Sequence, residues 1–217
     1  LADKPTISFH VDAVQALAKI PTEKYLTERV DFATFSSHKF HGVRGVGFVY
    51  IKSGKKITPL LTGGGQESDY RSTTENVAGI AATAKALRLS MEKLDIFRSK
   101  TGQMKAVIRQ ALLDYPDIFV FSDEEDFAPH ILTFGIKGVR GEVIVHAFED
   151  YDIFISTTSA CSSKAGKPAG TLIAMGVDKD KAQSAVRLSL DLENDMSQVE
   201  QFLTKLKLIY NQTRKVR

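Results

Sequence analysis

A single cysteine, Cys161, in 217 residues excludes an internal disulfide framework and a zinc site built from several thiolates. What it leaves is a small buried apolar residue or a reactive thiol. Charge of one sign is also lacking: 29 Lys and Arg face 26 Asp and Glu, a formal net charge of +3. The densest basic cluster is the terminal "TRKVR", so no contiguous footprint for nucleic acid exists and a polyanion partner is not expected. No apolar run approaches the roughly 20 residues that span a bilayer. The opening "LADKPTISF" lacks the charged-then-apolar order of a secretory signal. Together these absences predict a cytoplasmic chain without membrane contact. No methionine precedes Met91 and the first residue is Leu1, which predicts a processed product or a piece of something longer. Internal repeats and low-complexity linkers are missing too.

What is present is 43% apolar residues, enough for one large or two small domains. Strands and helices alternate. In "TISFHVDA", Ile7, Phe9 and Val11 alternate with Ser8, His10 and Asp12, predicting a strand that ends near Asp12. "VDFATFS" and "GVGFVYIK" are short and rich in β-branched and aromatic residues, which fits buried strands of a covered sheet. From Thr74 to Leu94 the residues Val77, Ile80, Ala84, Leu87, Met91 and Leu94 recur at steps of three and four, predicting one apolar face of a long helix. Beyond it come a helix, strand "HILTFGI", helix "GEVIVHAF", strand "FIST", helix "GTLIAMG", strand "VRLSLD" and a final helix. Ser197 and Glu200 have the spacing of a capping box for that last helix. The fold class is α/β, with a domain boundary near residue 90 that separates 1–90 from 91–217.

Several residues are placed for chemistry. In "FSSHKFHG", Lys39 stands among Ser36, Ser37, His38, His41 and two phenylalanines rather than on a charged face. Desolvation in such a setting disfavours the ammonium and frees an amine that can condense with an aldehyde. Asp12 ends the first strand, where open α/β sheets bind ligands; its carboxylate can cap the following helix or face a ligand. Gln15 follows three residues later. Arg187 in "AVRLSLD" lies on the opposite side of its strand from Val186 and Leu188, so it is either solvated or a fork for a carboxylate. Cys161 in "TTSACSS" sits among small polar residues, poor surroundings for a core. The glycines of "HGVRGVG" precede a strand and read as a tight turn, not a phosphate loop. Those of "TGGGQE" permit close approach of another chain or a ligand.

Taken together, "FHVDAVQALAKIP", "FSSHKFHGVRGVGFVYI", "GGGQE" with "RSTTENVAG", "STTSACSS" and "AVRLSL" resemble the successive motifs of cysteine desulfurases. That family belongs to the fold-type I, class V aminotransferase-like enzymes that use pyridoxal phosphate. The resemblance implies part of a large mixed-sheet cofactor domain in 1–90 and a smaller α+β domain in 91–217. It implies that Lys39 binds the pyridoxal covalently and shuttles protons at the substrate's α-carbon. It gives Ser36 and His38 to the cofactor phosphate, Asp12 to the pyridinium nitrogen and Gln15 to the ring hydroxyl. Thr74 matches a threonine that reaches the phosphate of a neighbouring subunit's cofactor, which implies a homodimer. Arg187 grips the carboxylate of the substrate, L-cysteine. Cys161 becomes the nucleophile that leaves as a persulfide on a long mobile loop, with L-alanine released and sulfur passed to an acceptor or iron-sulfur scaffold, or used in tRNA thiolation.

This sequence departs from the pattern at two points. Thr73 and Thr158 stand where the family often has glycine, and β-branched residues resist positive φ, so both loops are expected to be stiffer. A preceding segment of comparable length, which in the family supplies phosphate-binding amides and a stacking ring, has no counterpart here. The chain is therefore expected to be a C-terminal portion, inactive alone. The alternatives are a truncated non-catalytic domain that keeps a docking surface, a selenocysteine lyase, or an aminotransferase, the last of which needs no nucleophilic thiol.

Overall fold

The alternating run from Phe32 to Ser36 forms strand β2 (Phe32–Ser36), the middle of a three-stranded sheet in a computed structural model that describes residues 4, 6–122, 127–157 and 170–215. Strand β1 (His10–Asp12) pairs with it in parallel, from His10 opposite Phe32 to Asp12 opposite Thr34. Strand β3 (Gly47–Ile51) pairs antiparallel on the other side, from Phe32 opposite Ile51 to Ser36 opposite Gly47. This mixed sheet belongs to the first of two units, Leu1–Asp95. Alternation decides its two faces. Ala33 and Phe35 turn inward onto Ala13, Leu17, Tyr25, Val30 and Phe40, while Thr34 and Ser36 turn the other way.

Three expectations for this unit are corrected. The first strand is shorter than "TISFHVDA", because ladder bonding starts at the Phe9 carbonyl, which accepts from Asp31 and Phe32 at 2.9 and 3.1 Å. Ile7, in a turn before it, is 45% exposed. Among the described residues strand β3 lies at the sheet's edge, and Phe48 and Val49 are 41% and 45% exposed, although Phe48 stacks on Phe35 at 4.7 Å. Helix α1 (Val77–Glu92) is capped by Asn76, whose Oδ1 accepts from the Gly79 amide at 3.0 Å. Only part of its apolar stripe faces the unit's core: Leu87 packs against it, together with Ala86. Val77, Ile80 and Met91 are exposed, while the fully buried residues of the helix are the small Gly79 and Thr83. A Cβ at Gly79 would come within 2.8 Å of Val46 Cγ2, so the close approach needs glycine there.

The second unit, Ile96–Arg217, has its own core. Strands β4 (Ile118–Val120), β5 (Ile131–Ile136), β6 (Ser156–Thr157) and β7 (Val186–Ser189) form an antiparallel sheet in the order β4-β5-β7-β6. Helices α2 (Leu94–Leu113), α3 (Gly141–Glu149) and α6 (Met196–Lys215) bring Met104, Ile108, Ile144, Phe148, Phe202 and Leu206 against Leu132, Phe134 and Val186. Phe202 stacks on Phe148 at 5.0 Å and meets Phe134 edge-on at 6.2 Å. Helices α4 (Gly170–Ala174) and α5 (Lys179–Gln183) are single turns; α5 and β4 have no counterpart in the sequence-based expectation. Among the described residues no helix is long and apolar enough to cross a membrane.

The capping box of α6 sits two residues earlier than expected. Asp195 Oδ1 accepts from the Gln198 amide at 3.0 Å, and Gln198 Oε1 accepts from the Asp195 amide at 3.2 Å. Asp-x-x-Gln closes the reciprocal pair, so Ser197 is already inside the helix and donates its hydroxyl to Asp195 Oδ1 at 2.8 Å. These bonds, led by that from the Gln198 amide, hold the Asp195 carboxyl below its ordinary pKa.

Candidate functional site

The parallel register of β1 and β2 sets Asp12 beside Thr34, and Ser36 follows two residues on along the same face. His10 belongs to that face as well, its Nε2 3.2 Å from Thr34 Oγ1. Alternation thus leaves a polar row of His10, Asp12, Thr34 and Ser36 opposite the apolar core side. Asp12 Oδ1 accepts from the Val14 amide at 3.1 Å, a local turn that orients the carboxylate. The segment after it winds irregularly through Ala13 to Ile20 with i→i−3 and i→i−4 bonds, and Gln15 is exposed on it.

Strand β2 runs directly into a four-residue 3-10 turn, Ser37–Phe40, which carries His38 and Lys39. Within it the sequence sorts by depth: Ser37 and Phe40 are 0% and 1% exposed, Lys39 is half-buried and His38 is exposed. His41 ends the turn in the left-handed region at φ 65°, and the Gly42 amide donates to Ser37 O at 3.0 Å. Lys39 is thereby held at the end of the polar row, where the chain leaves the sheet.

The glycine loop adds unusual backbone. Gly63 and Gly65 have φ of 155° and 79°, and Glu67, Ser68 and Asp69 follow consecutively at 52°, 55° and 68°. Such a conformation costs an L-residue roughly 1–2 kcal/mol. Bonds from Asp69 N to Gly65 O at 3.1 Å and from Tyr70 N to Glu67 O at 3.1 Å hold it. Beyond it Thr73 bonds to Arg71, and Thr74 is exposed just before the α1 cap.

Arg187 belongs to the other unit. Its strand shows the expected alternation, with Val186 and Leu188 buried, Arg187 half-buried and Ser189 exposed. Thr133 of β5 and Ser156 of β6 stand directly opposite it on either side, so hydroxyls flank the guanidinium's strand position on one sheet face. Arg187 Nε is buried with no acceptor among the described residues. A donor withheld from both water and protein suits an anion that the protein itself does not provide. Cys161 and Thr158 lie outside the described residues.

The structure therefore gathers Asp12, Ser36, His38 and Lys39 at one end of one sheet, with Gln15 on the segment after Asp12. It puts Thr74 in the approach to α1 and Arg187 in the second unit. Thr34 and His10 were missed by sequence reasoning. The alternation Phe32, Thr34, Ser36 was their available signal, once the core face of β2 was assigned.

Comparisons with known proteins agree with this architecture. The family described as aminotransferase class-V matches residues 1–202. A protein named NifS/IcsS protein homolog from Lactobacillus delbrueckii subsp. bulgaricus is 48% identical over 217 residues, covering 100% of this chain and 56% of that protein. Cysteine desulfurase IscS from Clostridium botulinum is 34% identical over 219 residues, covering 100% of this chain and 55% of its own length. The solved NifS-like protein from Rickettsia africae superposes with a TM-score of 0.83 at 29% identity, covering 97% of this chain and 55% of that one. A second NifS-like structure gives 0.81 at 35% identity, covering 94% and 52%. The chain thus spans about half the length of the relatives it matches. With the family match covering nearly all of its residues, the chain belongs to the class-V aminotransferase family.

Proposed function

We propose that the chain carries part of a cysteine desulfurase site, in which L-cysteine gives up its sulfur to Cys161 and leaves as L-alanine, with pyridoxal phosphate as cofactor. The observation that carries this reading is the polar row on one sheet face, which runs from Asp12 past Thr34 and Ser36 to the turn holding Lys39. The donor set fits the cofactor: an amine for its aldehyde, hydroxyls and an imidazole for its phosphate, and a carboxylate for its ring nitrogen. When bound, pyridoxal phosphate draws electron density from the substrate's α-carbon. Asp12 keeps the ring nitrogen protonated by charge. Ser36 and His38 would hold the phosphate, Gln15 the ring hydroxyl, and Lys39 would bind the cofactor's aldehyde carbon and move a proton at the substrate's α-carbon.

Arg187 takes the substrate carboxylate, which gives its buried Nε the acceptor that the described protein atoms lack. Cys161 supplies a thiolate. The carbon–sulfur bond of L-cysteine breaks, the sulfur joins Cys161 Sγ as a persulfide, and alanine takes up the proton that the thiol gave. The persulfide is then available to a sulfur acceptor or iron-sulfur scaffold. In this reading residues 1–90 are the latter half of the cofactor domain and 91–217 the smaller domain, in a cytoplasmic homodimer where Thr74 faces the neighbouring subunit's cofactor.

The test is made in the full-length gene product, loaded with pyridoxal phosphate. L-Cysteine should yield alanine and a persulfide that mass spectrometry places on Cys161. Cys161→Ser should retain cofactor and cysteine binding but form no persulfide, because a hydroxyl is far less nucleophilic toward sulfur. Normal sulfur output from that variant would overturn the assignment.

A further inference from the structure

The turn that carries Lys39 is gripped from outside the sheet by two hydroxyls of α1. Thr83 Oγ1 lies 2.9 Å from Ser37 Oγ and 2.7 Å from Gly79 O. A threonine hydroxyl has one proton. It can serve either Ser37 Oγ or the Gly79 carbonyl, so the two hydroxyls share one bond whichever of them donates. Seven residues on, two helical turns along the same face, Ser90 Oγ donates to Phe40 O at 3.0 Å. The two bonds fall on the first and last residues of the four-residue turn, and Lys39 sits between them. Ser37 and Thr83 are 0% and 6% exposed, so water does not replace this bond when it is lost. A Cβ at Gly42 would stand 2.0 Å from Ser37 Oγ, so the hydroxyl occupies space that glycine leaves open.

We propose that Thr83 and Ser90 are positioning residues for Lys39, acting through Ser37 and Phe40 to fix the direction in which the lysine leaves the sheet. The inference rests on the reading of Lys39 as the aldehyde-binding amine. A four-residue 3-10 turn has few hydrogen bonds of its own, and such turns have poorer bond geometry than an α-helix. Two clamps onto a regular helix supply the rigidity it lacks. Neither residue touches the reacting atoms, so their effect is on how Lys39 is presented, not on which chemistry it performs.

The experiment measures the relative reactivity of lysines within one molecule. The full-length apoprotein is treated with limiting pyridoxal phosphate, reduced with borohydride and mapped by mass spectrometry, with exposed Lys137 and Lys179 as internal references. In the wild type Lys39 should be labelled preferentially. Thr83→Val, which keeps the shape and removes the hydroxyl, and Ser90→Ala should each lower the Lys39 share at least fivefold against the references, and Thr83→Ser should restore it to within twofold. Circular dichroism and urea midpoints separate this from unfolding, since loss of structure would not spare the references while Thr83→Ser recovers one lysine. If Thr83→Val does not fold, Ser90→Ala alone decides. Folded variants whose Lys39 share stays within twofold of the wild type overturn the proposal. A wild type in which Lys39 reacts no faster than Lys137 removes instead the reading of Lys39 on which it rests, and the clamp with it.

Discussion

Replacing Arg187 by methionine should make the ligand-free chain more stable, not less. The Nε of Arg187 is buried with no acceptor among the described residues, and a buried donor left unsatisfied costs about 1–3 kcal/mol. Methionine is unbranched and fills the volume of the arginine stem, so packing between Thr133 and Ser156 is kept while the stranded donor is removed. Because the side chain is only half-buried, part of the guanidinium is hydrated in the folded state, and the gain is set at the lower end, about 1 kcal/mol. Urea denaturation of the two proteins, read as the shift in midpoint at constant slope, measures it. L-Alanine added as a carboxylate probe should reverse the order: at ten times its Kd a ligand that binds only the folded state adds about 1.4 kcal/mol, to the wild type alone. A variant that loses more than about 1 kcal/mol without ligand would show that Arg187 is a satisfied structural residue, and the substrate role would fall with the argument.

In the full-length protein, Lys39→Ala should abolish the borohydride-reducible pyridoxyl adduct and leave the far-ultraviolet spectrum unchanged; mass spectrometry finding that group on another lysine would refute it. The 217-residue chain alone, given pyridoxal phosphate and L-cysteine, should release no alanine, because Asp12, Gln15 and His38 are exposed and face water rather than a closed pocket; turnover comparable to a full-length relative would contradict this. Acid should weaken the first unit through Asp31. Its carboxyl is held below the ordinary value of 3.8 chiefly by the bond from the Phe9 amide at 2.9 Å, then by Lys55 and Arg29. The unfolded chain binds that proton more readily, so the stabilisation is full above about pH 4 and is lost as the pH falls toward the depressed value. Urea midpoints between pH 2 and 6 should show this fall, and Asp31→Asn should flatten it.

Local pattern carried some elements well and misplaced others for definable reasons. Alternation in "AVRLSL" assigned Val186 and Leu188 to the core side because one face of β7 packs on helices and the other does not. The same reasoning held only in part for α1, where Leu87 packs on the core but Val77, Ile80 and Met91 do not, since a period of 3.6 identifies an apolar stripe without saying what covers it. The helix meets the Lys39 turn through Gly79, Thr83 and Ser90, residues that a hydrophobic template passes over. The capping box was displaced because Ser-x-x-Glu and Asp-x-x-Gln overlap within six residues, and only the bonds at Asp195 decide between them. At the site, Asp12 and Lys39 could be picked from residue type and strand ends. That Asp12, Thr34 and Ser36 share a face depends on a parallel pairing between segments 22 residues apart, which no local spacing encodes.

The outward stripe on α1 governs how the chain behaves as a solute. Val77 is 71% exposed, and Ile80 and Met91 lie along the same helix face, while a net charge of +3 spread over 217 residues gives little mutual repulsion between molecules. Added salt screens what repulsion there is and leaves the apolar attraction in place. Concentrated solutions should therefore grow more turbid as salt rises, the opposite of a protein whose contacts are ionic, and low-salt buffers are the conditions in which the dispersed chain will persist.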